Sequence, residues 1–293
     1  MQIFNILLDV VGPVFLIAFV GYLWARGGKP LDSGFVALLV NTVSTPALVI
    51  DTLTRSGLTF GTLGTMGLAS VLTMGVTALC GYALVRALGE RIPVYLPSLI
   101  WANGGNMGLP MCLFAFGQTG LALAIGYFAL SSMTNYTFGQ AIAAGGLKAG
   151  DVVRMPIIWA IFAALLLLWT GWSLPPIVQR SLGLLGGITV PLMLMSLGYS
   201  LASLKITSWK RSMIFALARL IGGFAIGWGV AWLLGLDGLA RGVIVIQSSM
   251  PPAVLNYLWA ARYNNEPEEV AGVVVLSTFI SLAFLPVFLW TVM

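Results

Sequence analysis

The sequence contains no histidine, and charged residues of every kind are scarce. Asp, Glu, Lys and Arg together make up 8% of the 293 residues, and the acids number nine. Because a soluble domain carries about 25% charged residues, this composition excludes a soluble globular protein. The lack of histidine, and the near absence of acids within the apolar segments, where Asp51 either reaches the membrane interior or caps the outer end of predicted helix 2, also leave the chain without an obvious proton relay.

Cysteine is equally rare, and both copies, Cys80 and Cys112, fall inside apolar segments. Neither a disulfide framework nor a metal site is therefore indicated. The sequence also lacks a glycine-rich phosphate loop, a His/Cys metal cluster and a nucleophile paired with a base. We predict that the protein is not an enzyme and has no catalytic residues, no metal site and no cofactor. The first basic residue, Arg26, follows the first apolar stretch, which is not the pattern of a cleavable signal peptide.

Long apolar stretches dominate the chain instead, because 59% of its residues are hydrophobic. A membrane-spanning helix needs about 20 mostly apolar residues, and the few charges interrupt the chain at about that spacing. The stretches are continuous rather than alternating, which argues against a membrane β-barrel. We predict an all-α polytopic membrane protein with ten transmembrane helices, at residues 2–26, 33–54, 60–88, 94–117, 120–147, 155–173, 176–203, 208–235, 239–263 and 268–292.

The basic residues are distributed unevenly between the two faces of this predicted membrane protein. With the N-terminus placed outside, ten lie in inner loops, whereas Arg55, Arg180 and Arg241 lie in outer loops. This asymmetry follows the positive-inside rule. The net charge of +5 therefore indicates membrane orientation rather than nucleic-acid binding. Both termini are predicted to face outward.

The two halves of the chain repeat one another at an offset of about 145 residues. Three short motifs recur: Gly12–Val14 as Met155–Ile157, Ser44–Pro46 as Thr189–Pro191, and Leu130–Ser132 as Leu276–Thr278. An odd number of helices in each half inverts the second half relative to the first. We therefore predict two inverted five-helix repeats, 1–147 and 155–293, joined by a short cytoplasmic linker, 148–154.

Predicted helix 4 is interrupted by glycines. Three glycines and one proline follow Asn103 within eight residues, and such a segment cannot sustain a regular helix, since Gly costs about 1 kcal/mol and Pro about 3 kcal/mol. A broken helix exposes amide N–H groups and the positive end of a half-helix dipole, which suit a carboxylate. The candidate substrate-binding residues here are Asn103, Gly104, Gly105 and Asn106. The alternative is a kinked packing helix whose glycines permit close helix contact.

Predicted helix 9 carries a matching break in the second half. Two consecutive prolines remove two N–H donors and disfavour helix for the residue before them. Paired interrupted helices in two repeats are typical of a secondary transporter whose site lies at the break. We therefore expect the two breaks to cross near the midplane. The candidate site then gains Gln247, Ser248, Ser249, Pro251 and Pro252.

Other polar residues within the predicted helices are weaker candidates. Ser132, Asn135 and Tyr136 share one face of predicted helix 5, which suits either a cavity wall or hydrogen bonding between helices. Asn41 and Thr45 precede a proline, where they either line the substrate path or satisfy carbonyls that the kink frees. Arg219 lies well inside predicted helix 8, and the sequence allows four interpretations of it. It attracts an anion, it holds two polar helices together, it snorkels to the inner face, or it pairs with a carbonyl.

Two of these motifs resemble the auxin efflux carrier family. The first is Asn103, Met107-Gly108 and Pro110, and the second runs through Met250–Tyr257 and Ala261–Asn264 to Pro267. The resemblance implies a scaffold of helices 1, 2, 6 and 7, a moving transport unit of helices 3–5 and 8–10, and a crossing at helices 4 and 9. It implies elevator-type carriage of organic anions, such as malonate, malate or auxin-like acids, by a homodimer.

The resemblance also assigns roles to individual residues. Asn103 matches the asparagine that meets the substrate carboxylate, and Pro251 matches the crossover proline. Plant relatives have a proline where this chain has Ala102 and a glutamine where it has Pro252, so glycines make the first break and the site suits another anion. The chain also lacks the long inner loop of many plant members. We therefore expect a compact member in a bacterial inner (plasma) membrane.

Two alternatives remain open from the sequence. A sodium-coupled symporter of the bile-acid type shares the inverted-repeat architecture, and buried acids beside amide ligands would distinguish it. A membrane receptor or channel that binds an anion without carrying it would give no counterflow in proteoliposomes. The scarcity of acids leads us to expect uniport driven by the membrane potential, or sodium held by amides and carbonyls, and coupling to Na+ or H+ is not assigned. The expected partners are the anion, the lipid bilayer and a second copy of the chain, but no nucleic acid.

The charge asymmetry predicts a topology that labelling can test. A single cysteine placed near Lys148 should react with a membrane-impermeant thiol reagent from the inside only, because the inner loops carry the basic residues. A cysteine near Arg180 should react from the outside only. Labelling of both positions from the same side would contradict the inverted arrangement.

Overall fold

The structure is a computed structural model that describes residues 2–146, 156–204 and 207–292, with side chains from Val11 onward. These ranges contain fourteen α-helices and three π-helical turns, and no β-strand is formed within them. The predicted all-α class is confirmed for this part of the chain. The predicted linker, 148–154, lies outside the described residues.

The first half of the chain forms seven helices. They are α1 (Gln2–Arg26), α2 (Ser33–Leu39), α3 (Thr45–Arg55), α4 (Phe60–Ala87), α5 (Ile92–Ile100), α6 (Leu109–Thr134) and α7 (Gln140–Ala144). The π-helical turns Val40–Ser44, Gly104–Gly108 and Asn135–Gly139 join α2 to α3, lead into α6, and join α6 to α7. The α6 run leaves helical geometry at Gly117 (φ 66°, ψ −160°), where the sequence separates predicted helices 4 and 5.

The second half forms seven more helices. They are α8 (Pro156–Thr170), α9 (Pro176–Gly187), α10 (Thr189–Ser203), α11 (Trp209–Leu233), α12 (Gly238–Ser249), α13 (Val254–Arg262) and α14 (Pro267–Val292). Predicted helix 6 was extended to residue 173, but α8 ends at Thr170, and Gly171 follows with a left-handed φ of 64°, a conformation that commonly ends helices. Predicted helix 7 is divided at Ile188 into α9 and α10.

Six helical segments in the described ranges are long and apolar enough to cross a membrane by length and composition. They are Ser33–Arg55, Phe60–Ala87, Gly104–Ala144, Pro176–Ser203, Trp209–Leu233 and Pro267–Val292, with Val11–Arg26 and Pro156–Thr170 as shorter apolar helices. The protein is thus an integral membrane protein with several apolar helices. The layout of ten spans in two inverted repeats stays a prediction.

Glycines allow α1 and α10 to approach until their backbones touch. A Cβ atom at Gly198 would collide with the carbonyl oxygen of Ala18, and one at Gly21 would collide with the carbonyl of Met195. Small residues at such crossings are the usual way in which membrane helices pack, because lipid supplies no hydrophobic drive for helix association. This crossing joins predicted helices 1 and 7.

A polar cluster ties several other helices together at one end of the bundle. Its contacts are Arg91–Glu266 (2.6 Å), Arg211–Glu90 (3.1 Å) and Tyr95 Oη donating to Glu269 (2.9 Å). These contacts connect the α4–α5 turn to α11 and to Glu266, which precedes α14, and they connect α5 to the first turn of α14. They all lie within the set formed by predicted helices 3–5 and 8–10.

The α1–α10 contact predicts a sharp difference between two glycine substitutions. Gly198→Ala should lower the free energy of unfolding by about 1–3 kcal/mol, because overpacking moves backbone against backbone. Gly222→Ala in α11 is the matched control, since its Cβ meets nothing within 4 Å, and it should leave stability unchanged or slightly raised. Thermal melting in detergent measures both, and equal melting temperatures for the two variants would contradict the close approach.

Candidate functional site

The two interrupted helices meet through their backbones. Ala102, after α5, and Pro252, after α12, form an isolated antiparallel β-bridge. The amide of Asn103 donates to the carbonyl of Pro251 at 2.7 Å, and the amide of Ala253 donates to the carbonyl of Trp101 at 3.0 Å. The two breaks predicted from glycine and proline therefore satisfy one another's freed backbone groups, as a membrane interior requires.

Four half-helix ends converge on this crossing. α5 ends at Ile100 and α12 ends at Ser249, so their carbonyl ends, with partial negative charge, approach it. The π-helical turn from Gly104 into α6 and the helix from Val254 start there, so their amide ends, with partial positive charge, also approach it. The crossing thus has a side that favours a cation and a side that favours an anion.

Arg219 occupies the cation-favouring side. Its guanidinium donates from Nη1 to the carbonyl of Leu99 (2.6 Å), from Nη2 to that of Ser248 (2.7 Å) and from Nε to that of Met250 (3.0 Å). The residue is 2% exposed. Two glycines of the same helix, Gly223 and Gly227, let α11 approach Ser248 closely enough for these bonds. One buried positive charge therefore binds the carbonyl ends of both broken helices, which is the carbonyl-pairing arrangement among those considered from the sequence.

A chain of amides links the crossing to the end of α6. Asn256 of α13 donates from Nδ2 to the carbonyl of Trp101 at 3.0 Å, and its Oδ1 accepts from Nδ2 of Asn135 at 3.5 Å. Trp101 itself donates from Nε1 to Thr134 at 3.1 Å. The polar stretch that starts at Ser131 in the sequence is thus engaged in bonds between helices, and Asn135 also lines a cavity.

Gln247 packs directly over the glycine break. A Cβ at Gly104 would lie 2.6 Å from the Gln247 Oε1, and one at Gly108 would also collide with this carboxamide. A side chain at either position would therefore require the Gln247 carboxamide to move. Gln247 is fully buried, and neither its Oε1 nor its Nε2 has a hydrogen-bond partner among the described residues. A cavity of about 10 Å³ beside it, lined also by Thr73, Ser248 and Arg219, has room for about one water molecule.

A larger cavity of about 230 Å³ lies on the anion-favouring side. Five residues predicted from the sequence line it: Asn41, Asn103, Gly105, Asn106 and Asn135. Asn103 is 4% exposed, and its Nδ2 has no hydrogen-bond partner within the described part of the chain. No Asp, Glu, Lys or Arg is among the described residues that line this cavity. It is a neutral chamber with a mixed polar and apolar lining, and one of the residues that line it, Asn103, has an unpartnered amide donor.

A second cavity of about 390 Å³ adjoins the first. Both are lined by five common residues: Asn41, Phe128, Ser132, Tyr136 and Met193. Thr45, a further predicted residue, lines the second cavity, as does Arg262 near the end of α13. We call the first cavity, beside the crossing, the inner chamber, and the second, further from the crossing, the outer chamber. These names do not refer to the two faces of the membrane.

The remaining predicted residues lie at the crossing without lining either chamber. Pro251 and Pro252 form its backbone contacts, and Ser249 donates to the carbonyl of Val245 in its own helix. Gly104, Gln247, Ser248 and Arg219 line the small cavity instead. Whether any of these residues binds a substrate stays a prediction.

Sequence reasoning missed several residues that line the chambers. Phe128, Met193, Ser196 and Ser200 face the inner chamber from α6 and α10. Apolar and hydroxyl side chains on membrane helices give no local signal of this role. The serine pair at four-residue spacing in α10 is the one pattern that indicates a shared face.

Two broken helices that cross beside a neutral polar chamber, in a bundle of apolar helices, define a class: a polytopic helical membrane protein of the transporter type. The model of the family described as membrane transport protein matches residues 6–289. The chain therefore belongs to this family, which is the auxin efflux carrier family. The resemblance drawn from the two motifs is confirmed, and the protein is a membrane transporter.

Three similar proteins extend this finding. The chain is 27% identical over 305 aligned residues to an uncharacterized transporter of Methanocaldococcus jannaschii, across 97% of this chain and 98% of that protein. It is 26% identical to an uncharacterized transporter of Methanothermobacter thermautotrophicus over 273 residues, or 89% of each chain. It is 28% identical over 129 residues to auxin efflux carrier component 8 of Arabidopsis thaliana, across 43% of this chain and 34% of that protein.

The three bonds of Arg219 predict that this residue holds the crossing together. Arg219→Met should lower the free energy of unfolding by about 3 kcal/mol or more, because buried carbonyls lose their charged donor. Arg219→Lys should retain part of the stability, since an ammonium still donates. Arg86→Met, at an exposed position of α4, is the control and should melt like the wild type. Detergent melting curves give the comparison, and a fully stable Arg219→Met variant would refute the role.

Proposed function

We propose that the protein is a secondary transporter of small organic anions that carry a carboxylate, and that it works by elevator-type alternating access. The observation that carries this proposal is the buried, unpartnered Nδ2 of Asn103, a residue that lines the neutral inner chamber. An amide donor without a partner costs free energy in the empty site. A carboxylate oxygen supplies the missing acceptor.

Backbone groups around the chamber support an anion in the same way. Gly105 and Asn106 begin one half-helix, Val254 and Leu255 begin the other, and all four line the inner chamber. The first N–H groups of a helix have no partner within the helix and carry partial positive charge. A carboxylate placed here meets donors from two helices, while no described acid of the lining opposes it.

Arg219 supports the same sign of substrate. Its guanidinium already fills the cation-favouring side of the crossing through three carbonyls. A sodium ion placed among those carbonyls would have to displace or face a fixed positive charge. We therefore prefer anion uniport driven by the membrane potential to a sodium-coupled symporter of the bile-acid type, and we prefer transport to a receptor or channel role because of family membership.

The division into two bodies is part of the proposal. The polar cluster, the amide chain and the Arg219 bonds all connect helices that belong to predicted helices 3–5 and 8–10. The inner chamber is completed from the other side by Asn41 and Met193, near α2 and in α10. A substrate in the chamber would thus lie between a moving unit and a scaffold of predicted helices 1, 2, 6 and 7. A homodimer through the scaffold, in a bacterial inner membrane, belongs to the same proposal.

Substitutions at Asn103 test the anion site. Asn103→Ala should weaken carboxylate binding by about 1.5–3 kcal/mol, the range for a hydrogen bond to a charged group, which is roughly ten- to more than hundredfold in affinity. Asn103→Asp should weaken binding further, because it places like charges close together in a site of low dielectric constant. The measurement is the thermal shift of purified protein across a panel of mono- and dicarboxylates, followed by counterflow in proteoliposomes.

Gln118→Ala is the matched control for this test, because it removes an exposed amide close to Gly117 and away from both chambers. It should bind and transport like the wild type. Unchanged binding in both Asn103 variants would show that the anion does not lie at this crossing. No stabilisation of the wild type by any carboxylate, with no counterflow, would reject the proposed substrate class.

A further inference from the structure

The two chambers form one polar path that ends at the crossing. Five residues line both cavities, so their walls are continuous. The inner chamber adjoins Asn103 and the start of α13. The outer chamber extends to Gln140, at the start of α7, and to Trp259 and Arg262, near the end of α13. A solute that reaches the crossing from this end of the bundle passes Arg262.

Arg262 differs in charge from the rest of this path. Among the described residues that line either chamber, Arg262 is the only one that carries a formal charge. Its side chain is exposed, and its guanidinium lies 5.8 Å from the ring centre of Tyr263. The described part of the chain gives it no ion pair, and Glu266, four residues later, is paired with Arg91. Its positive charge is therefore not neutralised by a bonded carboxylate.

The position of Arg262 fits an entrance rather than the binding site. It is the last residue of the nine-residue helix α13, which starts at the crossing with Val254. The two ends of this helix are about 12 Å apart along its axis. Arg262 therefore lies at the end of α13 that is remote from the crossing, where it lines the outer chamber.

We propose that Arg262 is the residue that concentrates carboxylate anions at the mouth of the outer chamber, before they reach the crossing. The inference rests on the proposed transport of anions and identifies a specificity-determining residue for it. A charge at the mouth of a low-dielectric cleft raises the local concentration of counter-ions and the rate of entry. Salt screens this effect over about 10 Å at 0.1 M ionic strength.

Charged thiol reagents test this role without knowledge of the substrate. In a background with Cys80 and Cys112 replaced by alanine, Ser132→Cys places one thiol in the wall shared by both chambers. The rates of its modification by sulfonatoethyl and trimethylammonioethyl methanethiosulfonate are compared. Arg262→Gln should reduce the ratio of anionic to cationic rates about three- to tenfold at low ionic strength, and high salt should remove most of the difference.

Two further variants separate charge from structure. Arg262→Lys should keep the wild-type ratio because it keeps the charge. Arg86→Gln removes a positive charge from an exposed position in the last turn of α4, and should change neither rate. An unchanged ratio in Arg262→Gln, in protein that melts like the wild type, overturns the proposal. So does a reduced ratio in Arg86→Gln of equal size, since it would show a general surface effect.

The result is independent of the test of the proposed function. The ratio of anionic to cationic rates could fall in Arg262→Gln while both Asn103 variants bind carboxylates like the wild type. That result would support the entrance role of Arg262 and contradict an anion site at the crossing. If the ratio is unchanged in Arg262→Gln while Asn103→Ala loses binding, the result would support the anion site and contradict the entrance role of Arg262.

Discussion

The crossing of the two broken helices depends on one buried arginine, Arg219. Its positive charge offsets the partial negative charge at the carbonyl ends of both helices. A half-helix that ends inside a membrane leaves carbonyl groups without partners, and each such group costs several kcal/mol in hydrocarbon. Arg219 donates to carbonyls from α5 and from α12, which belong to different halves of the chain. With this charge in place, the two helices can both stop at the same point, and the backbone bonds between Ala102 and Pro252 can form.

The same charge determines what the other side of the crossing can hold. The carbonyl ends are occupied, so the amide ends that start at Gly104 and Val254 are what remains for a ligand. Asn103 adds a side-chain donor at that place, and the described lining of the inner chamber adds no acid. The structure therefore separates the two ends of the half-helix dipoles, with a protein cation on one side and space on the other.

The sequence predicted the crossing because its cause is local. Glycine and proline weaken a helix wherever they occur, so Gly104, Gly105, Pro251 and Pro252 indicated both breaks, and the family motifs coincide with them. The positions of the long apolar segments followed from composition in the same way. The division of predicted helix 7 at Ile188 has the same kind of local cause, because Gly186 and Gly187 end α9 directly before it, but the sequence analysis treated the segment as one helix. The three π-helical turns were not predicted.

The chambers were predicted only in part because they depend on packing between distant segments. Asn41, Asn103 and Asn135 were found through their polarity within apolar stretches. Phe128 and Met193 look like ordinary core residues, and Asn256 joins the amide chain through contacts 121 and 155 residues away in sequence. Arg219 was correctly singled out for its depth, but its three acceptors are carbonyls that no sequence motif marks.

A crossing held by main-chain groups has a consequence for how this family diversifies. The bonds between Asn103 and Pro251, and between Ala253 and Trp101, use amides and carbonyls that nearly every residue supplies. Side chains such as Ser196, Ser200 or Tyr136 contribute nothing to these bonds, so they are free to change without loss of the junction. Selection can thus alter the chamber wall while the backbone junction persists.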